Sequence, residues 1–417
     1  MEYLTPGFTK EMMKDYTLLI PNMCPIQFRL IRAALESEGF YRVELLGSSS
    51  SEVTQQGLRY VHNDTCYPAL IIIGQFLEAL RSGKYDLHKT ALVISQTGGG
   101  CRASNYIRLL RKALVRSGYD YIPVASFNAM GMENGSTLPM TPKSFMKLAA
   151  AVFYGDEIFA LRNQVHAYEK NSGDAERTAE TWLNTIDGWF REDKNYLMTS
   201  FPKVFRKIAR DFAVIPMDRS EKKVRVGVVG EIYVKFSPTG NNNLLEFLEG
   251  EGCEVNMPGL LGYIEYCCAN WKMDSDLYGI SPRFGFLAGL ALKIMDHYGK
   301  QMSEAMKDCG FYAPDSFFEL MKKPEGILDL GTKMGEGWLL TAEMVELIEG
   351  GYGNIICAQP FGCLPNHIAG KGVVSRIRER FPEANITPVD YDPSATRVNQ
   401  ENRIRLMLAV AKENMGK

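Results

Sequence analysis

Short apolar runs alternate with amphipathic stretches through the first third of the chain, and the spacing predicts a repeating strand–helix order. TLLIPNM, from Thr17, reads as a strand, and residues 25–38 carry a helical pattern that Pro25 is well placed to open. YRVELL, after the stop at Gly39, is the second strand. The apolar-faced helix YPALIIIGQFLEALRSG then runs to Gly83. TALVIS, the helix ASNYIRLLRKALVRSG and the strand YIPVASF complete the unit. Such alternation predicts a parallel sheet with helices on both faces.

No strand signal appears between Thr141 and about Phe212, where amphipathic helical segments dominate. KKVRVGVVGEIYV, from Lys222, opens a second unit. NNNLLEFLEGEG follows as a helix and CEVNMPG as a strand. A long helical insertion covers about residues 260–330, and strand and helix signals return with TAEMVELIEGG, NIICAQ, LPNHIAGKGVVSRIRERF, ANITPVDYD and RVNQENRIRLMLAVAKE. The expected fold class is therefore α/β, with two doubly wound, Rossmann- or flavodoxin-like lobes. Residues 1–140 form the N-terminal lobe, 141–220 a helical linker or cap, and 221–417 the C-terminal lobe carrying the insertion. The two halves show no close sequence repeat.

At 417 residues the chain is too long for one ordinary core, which agrees with that division. Hydrophobic residues make up 46% and charged residues 23%, a globular balance. The formal charge of −2 offers no electrostatic attraction to nucleic acid or an anionic membrane. No apolar run is long enough to span a bilayer, and MEYLTPGFTKEMMKDY carries neither a signal-peptide core nor an Arg-rich presequence, so a cytoplasmic location is expected.

The chemistry is carried by cysteine. Nine cysteines without an export signal argue against a disulfide framework, and the absence of CxxC removes the zinc-ribbon and thioredoxin patterns. Three of the nine sit where a strand hands over to a helix or at a neighbouring helix start: Cys66 in HNDTCYP, Cys101 in SQTGGGCRASNY and Cys363 in AQPFGCLPNH. A thiolate at a helix N-terminus is stabilised by the macrodipole and by unpaired backbone N–H groups. Three such positions meeting across a cleft suit an anionic iron–sulfur cluster. Cys24, just before Pro25, is the fourth candidate ligand, with a buried thiol under the first helix as the equal alternative. Cys357 reads as a core-facing strand residue, and the adjacent Cys267 and Cys268 read as helix packing. QTGGGCR fits neither GxxxxGK[ST] nor GxGxxG, so a cluster-facing loop is a better reading than a nucleotide loop. His367, four residues after Cys363, shares its helical face.

NDTCYPALI, GGGCRASNY, GEIYVKFSPTGNNNLLEFLEGEGCEV, QPFGCLPNHIAGKG and VDYDPSATRVNQENRIRLML together resemble the acyl-CoA dehydratase activase-related proteins of the 2-hydroxyacyl-CoA dehydratase and benzoyl-CoA reductase superfamily. The resemblance covers most of the chain. It implies a two-lobed fold holding an oxygen-sensitive 4Fe-4S cluster on three cysteines, which position by position are Cys66, Cys101 and Cys363. In the family, electrons come from a separate ATP-hydrolysing activase; no such ATPase segment is present here, so the expectation is a partner activase or none needed, with pairing into a homodimer left open by the sequence. One branch of the superfamily binds an 8Fe-9S double-cubane cluster through six cysteines. The three extra ligands would then come from among Cys24, Cys267, Cys268, Cys309 and Cys357. The implied function is low-potential electron transfer, or radical reduction or dehydration of a 2-hydroxyacyl-CoA. The alternatives are a cluster-free nucleotide- or CoA-binding module and a non-catalytic partner of an ATP-dependent activase.

Overall fold

A computed structural model of the chain describes residues 5–62, 65–95, 100–127 and 137–415. The fold is mixed α/β with two four-stranded sheets, both parallel throughout. The first sheet holds β1 (Thr17–Pro21), β2 (Arg42–Leu46), β3 (Thr90–Ser95) and β4 (Val124–Phe127) in the order β2-β1-β3-β4. The second holds β5 (Val224–Gly230), β6 (Cys253–Asn256), β7 (Asn354–Pro360) and β8 (Asn385–Tyr391) in the order β6-β5-β7-β8. Both orders reverse between the first and third strands of the sheet. In open parallel sheets ligands bind beyond the carboxyl ends of the strands at such a reversal.

The central strands β1 and β3 read as near-unbroken apolar runs because both of their faces are covered. In the first sheet Leu19, Leu92 and Ile94 pack with the helices Tyr67–Arg81 and Tyr106–Ser117, while Leu18, Ile20, Ala91 and Val93 pack on the other side with Leu35 and Phe40. In the second sheet Val226, Val228 and Ile356 face one core, and Val229, Ile355 and Cys357 face another that includes Met344 and Leu347. The core on Leu19 and the core on Val226 are one continuous cluster, joined through Phe76, Tyr233 and Phe236. Tyr233 donates its hydroxyl to Gln75 Oε1 at 3.4 Å inside that seam.

Three helices, Pro142–His166, Asp174–Arg191 and Phe201–Ala213, lie between the sheets in sequence. They share a core of Trp182, Phe190, Phe201 and Phe205 with Leu30 and Ala33 of the helix Pro25–Ser37 and with Leu260 and Met306 of the later insertion. The insertion itself is a pair of helices, Leu260–Tyr278 and Pro282–Asp308, turned by Gly279 and Ser281 at positive φ. Among the described residues no helix is long and apolar enough to cross a membrane.

Two local departures from the sequence pattern matter for the site. A helix Ser51–Tyr60, capped by the Ser50 side chain on Val53 N, precedes Cys66 where the polar, serine-rich sequence gives no helical signal. It lies so close to Tyr67–Arg81 that a Cβ on Gly57 would overlap the Leu70 carbonyl, and one on Gly74 the Val53 carbonyl. After Cys363, Leu364 and Pro365 start a helix that widens into a π-helical segment, Asn366–Lys371, before the helix Val374–Arg380 resumes. Single π turns inside helices are frequent at functional positions.

Candidate functional site

Cys66 caps the helix Tyr67–Arg81, and Cys101 caps the short 3-10 turn Arg102–Asn105 ahead of Tyr106–Ser117. Cys363 follows the end of β7 by three residues and opens the π-containing helix. The glycine loop at residues 96–99 and residues 63–64 before Cys66 lie outside the described residues. All three cysteines are half-buried free thiols.

Contacts between loops draw the three together. Cys66 Sγ lies 2.7 Å from the Tyr106 hydroxyl, so the Cys66 thiol sits against the helix that Cys101 leads into. A Cβ on Gly100 would overlap Met334 Sδ, and one on Gly335 would crowd Pro365. The loop around Met334 is therefore wedged between the Cys101 turn and the Cys363 helix start. Glu336 closes this wedge: its Oε1 accepts from Ile232 N at 3.0 Å, and its Oε2 from Asn366 Nδ2 at 3.4 Å. The same Asn366 amide donates to Cys363 Sγ at 3.3 Å, and its Oδ1 is buried without a partner.

A second carboxylate completes the centre. Glu231 follows β5 directly and caps the short helix Ile232–Phe236 by accepting from Val234 N at 2.8 Å. Gly230 before it is required, because a Cβ there would overlap the Ala358 carbonyl on β7. Burial, and then the neighbouring Glu336, push the Glu231 carboxyl up to about 8. Burial raises Glu336 as well, against the pull of the Ile232 N–H.

The thiols respond to the same environment. Burial pushes Cys66 up to about 11, with Glu231 and Cys101 adding to it and the Tyr106 hydroxyl opposing it. Burial also raises Cys101 and Cys363, and both feel Glu336 and Glu231. The helix-start N–H groups of Ala69, Ala103 and Asn366 act in the lowering direction. They do not close a full cap bond at Cys66 or Cys101. Desolvation and two adjacent acids outweigh the helix terminus, so the metal-free thiols are neutral, contrary to the stabilised thiolate expected from the helix starts alone.

Cys24 is placed differently. It is fully buried in the core shared by the two lobes, burial raises its thiol, and the charges acting on it are Asp156 and Lys235. Cys357 is buried within β7, facing the core. Cys267 stands nearer the site, since it feels Glu336 and bonds to Tyr263. His367 is turned back onto its own loop, where Nε2 accepts from Gly362 N at 3.2 Å. Asp392 caps the turn at Ser394 and Ala395.

Glu231 and Glu336 escape a cysteine-led sequence reading. The available signal is a lone acid directly after a strand-ending glycine (VVGEIY) and one set between glycines (MGEGW). Among the described residues no three His, Cys, Asp or Glu side chains are grouped tightly enough to hold a single metal ion. The donor set is three soft sulfurs in a desolvated cleft, with an amide N–H already on one of them, and this fits an iron–sulfur cluster, which spreads its ligands over several irons. No protein-family model matches the chain, and no curated protein matches it either.

Proposed function

We propose that this chain is an iron–sulfur protein in which Cys66, Cys101 and Cys363 hold a 4Fe-4S cluster between two doubly wound lobes. The proposed activity is low-potential electron transfer, or radical reduction or dehydration of the 2-hydroxyacyl-CoA dehydratase type. The observation that supports this reading is that thiols carried by both sheets each lie close enough to Glu231 to feel its charge, two of them close to Glu336 as well. The doubly wound description rests on the shared strand order and on apolar cores against both faces of each sheet.

When bound, the cluster supplies one-electron chemistry at low potential. The protein's own part is to desolvate the three sulfurs, to give Cys363 the Asn366 N–H, and to hold a proton on the Glu231–Glu336 pair. Keeping that pair at least singly protonated limits the negative charge gathered beside the thiolates. A single cubane is favoured over an 8Fe-9S double cubane because Cys24 and Cys357 are fully buried in apolar cores, packed as hydrophobes. Exposed Phe361, Leu364 and Ile368 flank Cys363, and this apolar rim supports docking of an ATP-hydrolysing activase at that face.

Anaerobic reconstitution tests the proposal. Wild type is expected to take up about four irons and four sulfides per chain and to turn brown. Cys363→Ser is expected to fold and to lose most of that iron. A colourless wild-type protein, or iron uptake unchanged in all three single Cys→Ser variants, overturns the reading.

A further inference from the structure

A second buried acidic site lies apart from the thiols. The helices Pro142–His166, Leu260–Tyr278, Pro282–Asp308 and Gly337–Glu349 enclose a cavity of about 100 Å3, and no cysteine lines it. Asp156, Glu265, Asp296, Glu343 and Glu346 all face it from buried positions. Only part of that charge is matched. Lys300 pairs with Asp296 at 2.9 Å and Lys235 with Glu343 at 3.3 Å. Asp156 is held by neutral donors alone: Gln27 Nε2 at 2.7 Å, Leu260 N at 3.0 Å and Leu261 N at 2.7 Å. Glu346 accepts from Asp315 N at 2.8 Å.

Glu265 is the odd member. It is 5% exposed, lines the cavity, and its Oε1 has no hydrogen-bond partner among the described residues. A buried carboxyl oxygen without a donor costs about 1–3 kcal/mol unless something supplies one. Bare metal is a poor occupant, since no three of these acids are grouped for one ion among the described residues. Much of the remaining wall is apolar, with Met257, Leu261, Met302, Met306, Phe317 and Leu320, beside the polar Asn256 and Ser303. Several donors on a cationic head and a short hydrocarbon body would satisfy both kinds of wall, and the volume has room for several heavy atoms.

We propose that this cavity binds a small aliphatic ammonium ion, whose N–H groups reach Glu265 Oε1 and whose alkyl chain lies along the methionine and leucine wall. Burial, and then Asp296 and Asp156, raise the Glu265 carboxyl, and a cation in the cavity would offset that by favouring the ionised form. The site is independent of the thiol cleft, so it stands whether or not a cluster is bound.

Calorimetric titration of the full chain with butylammonium chloride tests this, with potassium chloride at equal ionic strength as the control. Saturable binding by wild type at one ion per chain is expected, weakened at least about tenfold in Glu265→Gln. Methyl-labelled methionine NMR of wild type provides a readout that needs no variant, with resonances of Met302 and Met306 expected to shift on titration. Absence of binding, equal binding by Glu265→Gln, reproduction by potassium, or unmoved methionine signals would overturn the proposal.

Discussion

At the scale of single residues, the interior of this protein is defined by acids held where water is scarce. Glu346 is the clearest case for a pH effect. Burial, with Asp315 and Glu343 adding repulsion, pushes its carboxyl up to about 8 from an ordinary 4.5, against the Asp315 N–H and Lys323, which favour the charged form. The unfolded chain therefore releases this proton at lower pH than the folded chain does. Between about 4.5 and 8 the unfolded state binds fewer protons, so stability falls as pH rises through that window and levels off above it. Glu231, raised to about 8, acts in the same direction. Urea denaturation midpoints of the metal-free protein are expected to decline from pH 5 to pH 8. Glu346→Gln, which keeps an acceptor for Asp315 N, is expected to make that decline shallower. A midpoint that rises across the window in wild type would contradict the assignment. The candidate ligands were legible in the sequence because cysteine beside proline or glycine at a strand–helix junction is a local pattern. The two acids among them were not, because their effect arises from desolvation across elements more than 100 residues apart in sequence, as in the Ile232–Glu336 bond.

Elements carry the site by fixing where helices begin. Parallel strands and the long apolar helix Tyr67–Arg81 follow directly from their hydrophobic periods. The helix Ser51–Tyr60 does not: its moderate apolar content is interrupted by Gly57, which in sequence reads as a breaker and in the fold is a packing face. The two glycines let the backbones of these helices touch, which sets the axis of Tyr67–Arg81 and hence the position of Cys66 at its start. The π-helical widening after Cys363 was likewise invisible, since a helical period does not report where one extra residue enters a turn. Gly74→Ala is expected to destabilise the protein by about 1–3 kcal/mol, because the new methyl meets the Val53 carbonyl backbone and no flexible side chain can yield. Chemical denaturation reads that loss. If Cys66 is a ligand, iron retained after anaerobic reconstitution should fall in the same variant, whereas Gly188→Ala, where a Cβ meets nothing within 4 Å, should change neither quantity.

For the whole molecule, the two sheets are already welded through one apolar core, so a cluster would not be needed to hold the lobes together. What it would constrain is the rim beyond the strand ends, where the Cys101 turn, the Met334 loop and the Cys363 helix start press on one another. Loading must also remove protons from thiols that are neutral in the metal-free protein, since metal ligation takes thiolate. Two consequences separate this arrangement from a structural metal site of the zinc-finger kind, in which the fold itself depends on the metal. Metal-free protein is expected to keep its cooperative unfolding transition and native circular dichroism. Hydrogen exchange is expected to rise in metal-free protein only around residues 66–70, 100–106, 332–337 and 363–371, with the strands of both sheets unchanged. Reconstitution between pH 6.5 and 8.5 should also speed up with pH, as the fraction of thiolate grows. Global loss of protection on iron removal would mean that the metal builds the fold, and identical exchange with and without iron would mean that it binds elsewhere. Exchange confined to those four segments is the pattern that a cluster bound at the strand ends would produce in a core already folded without it.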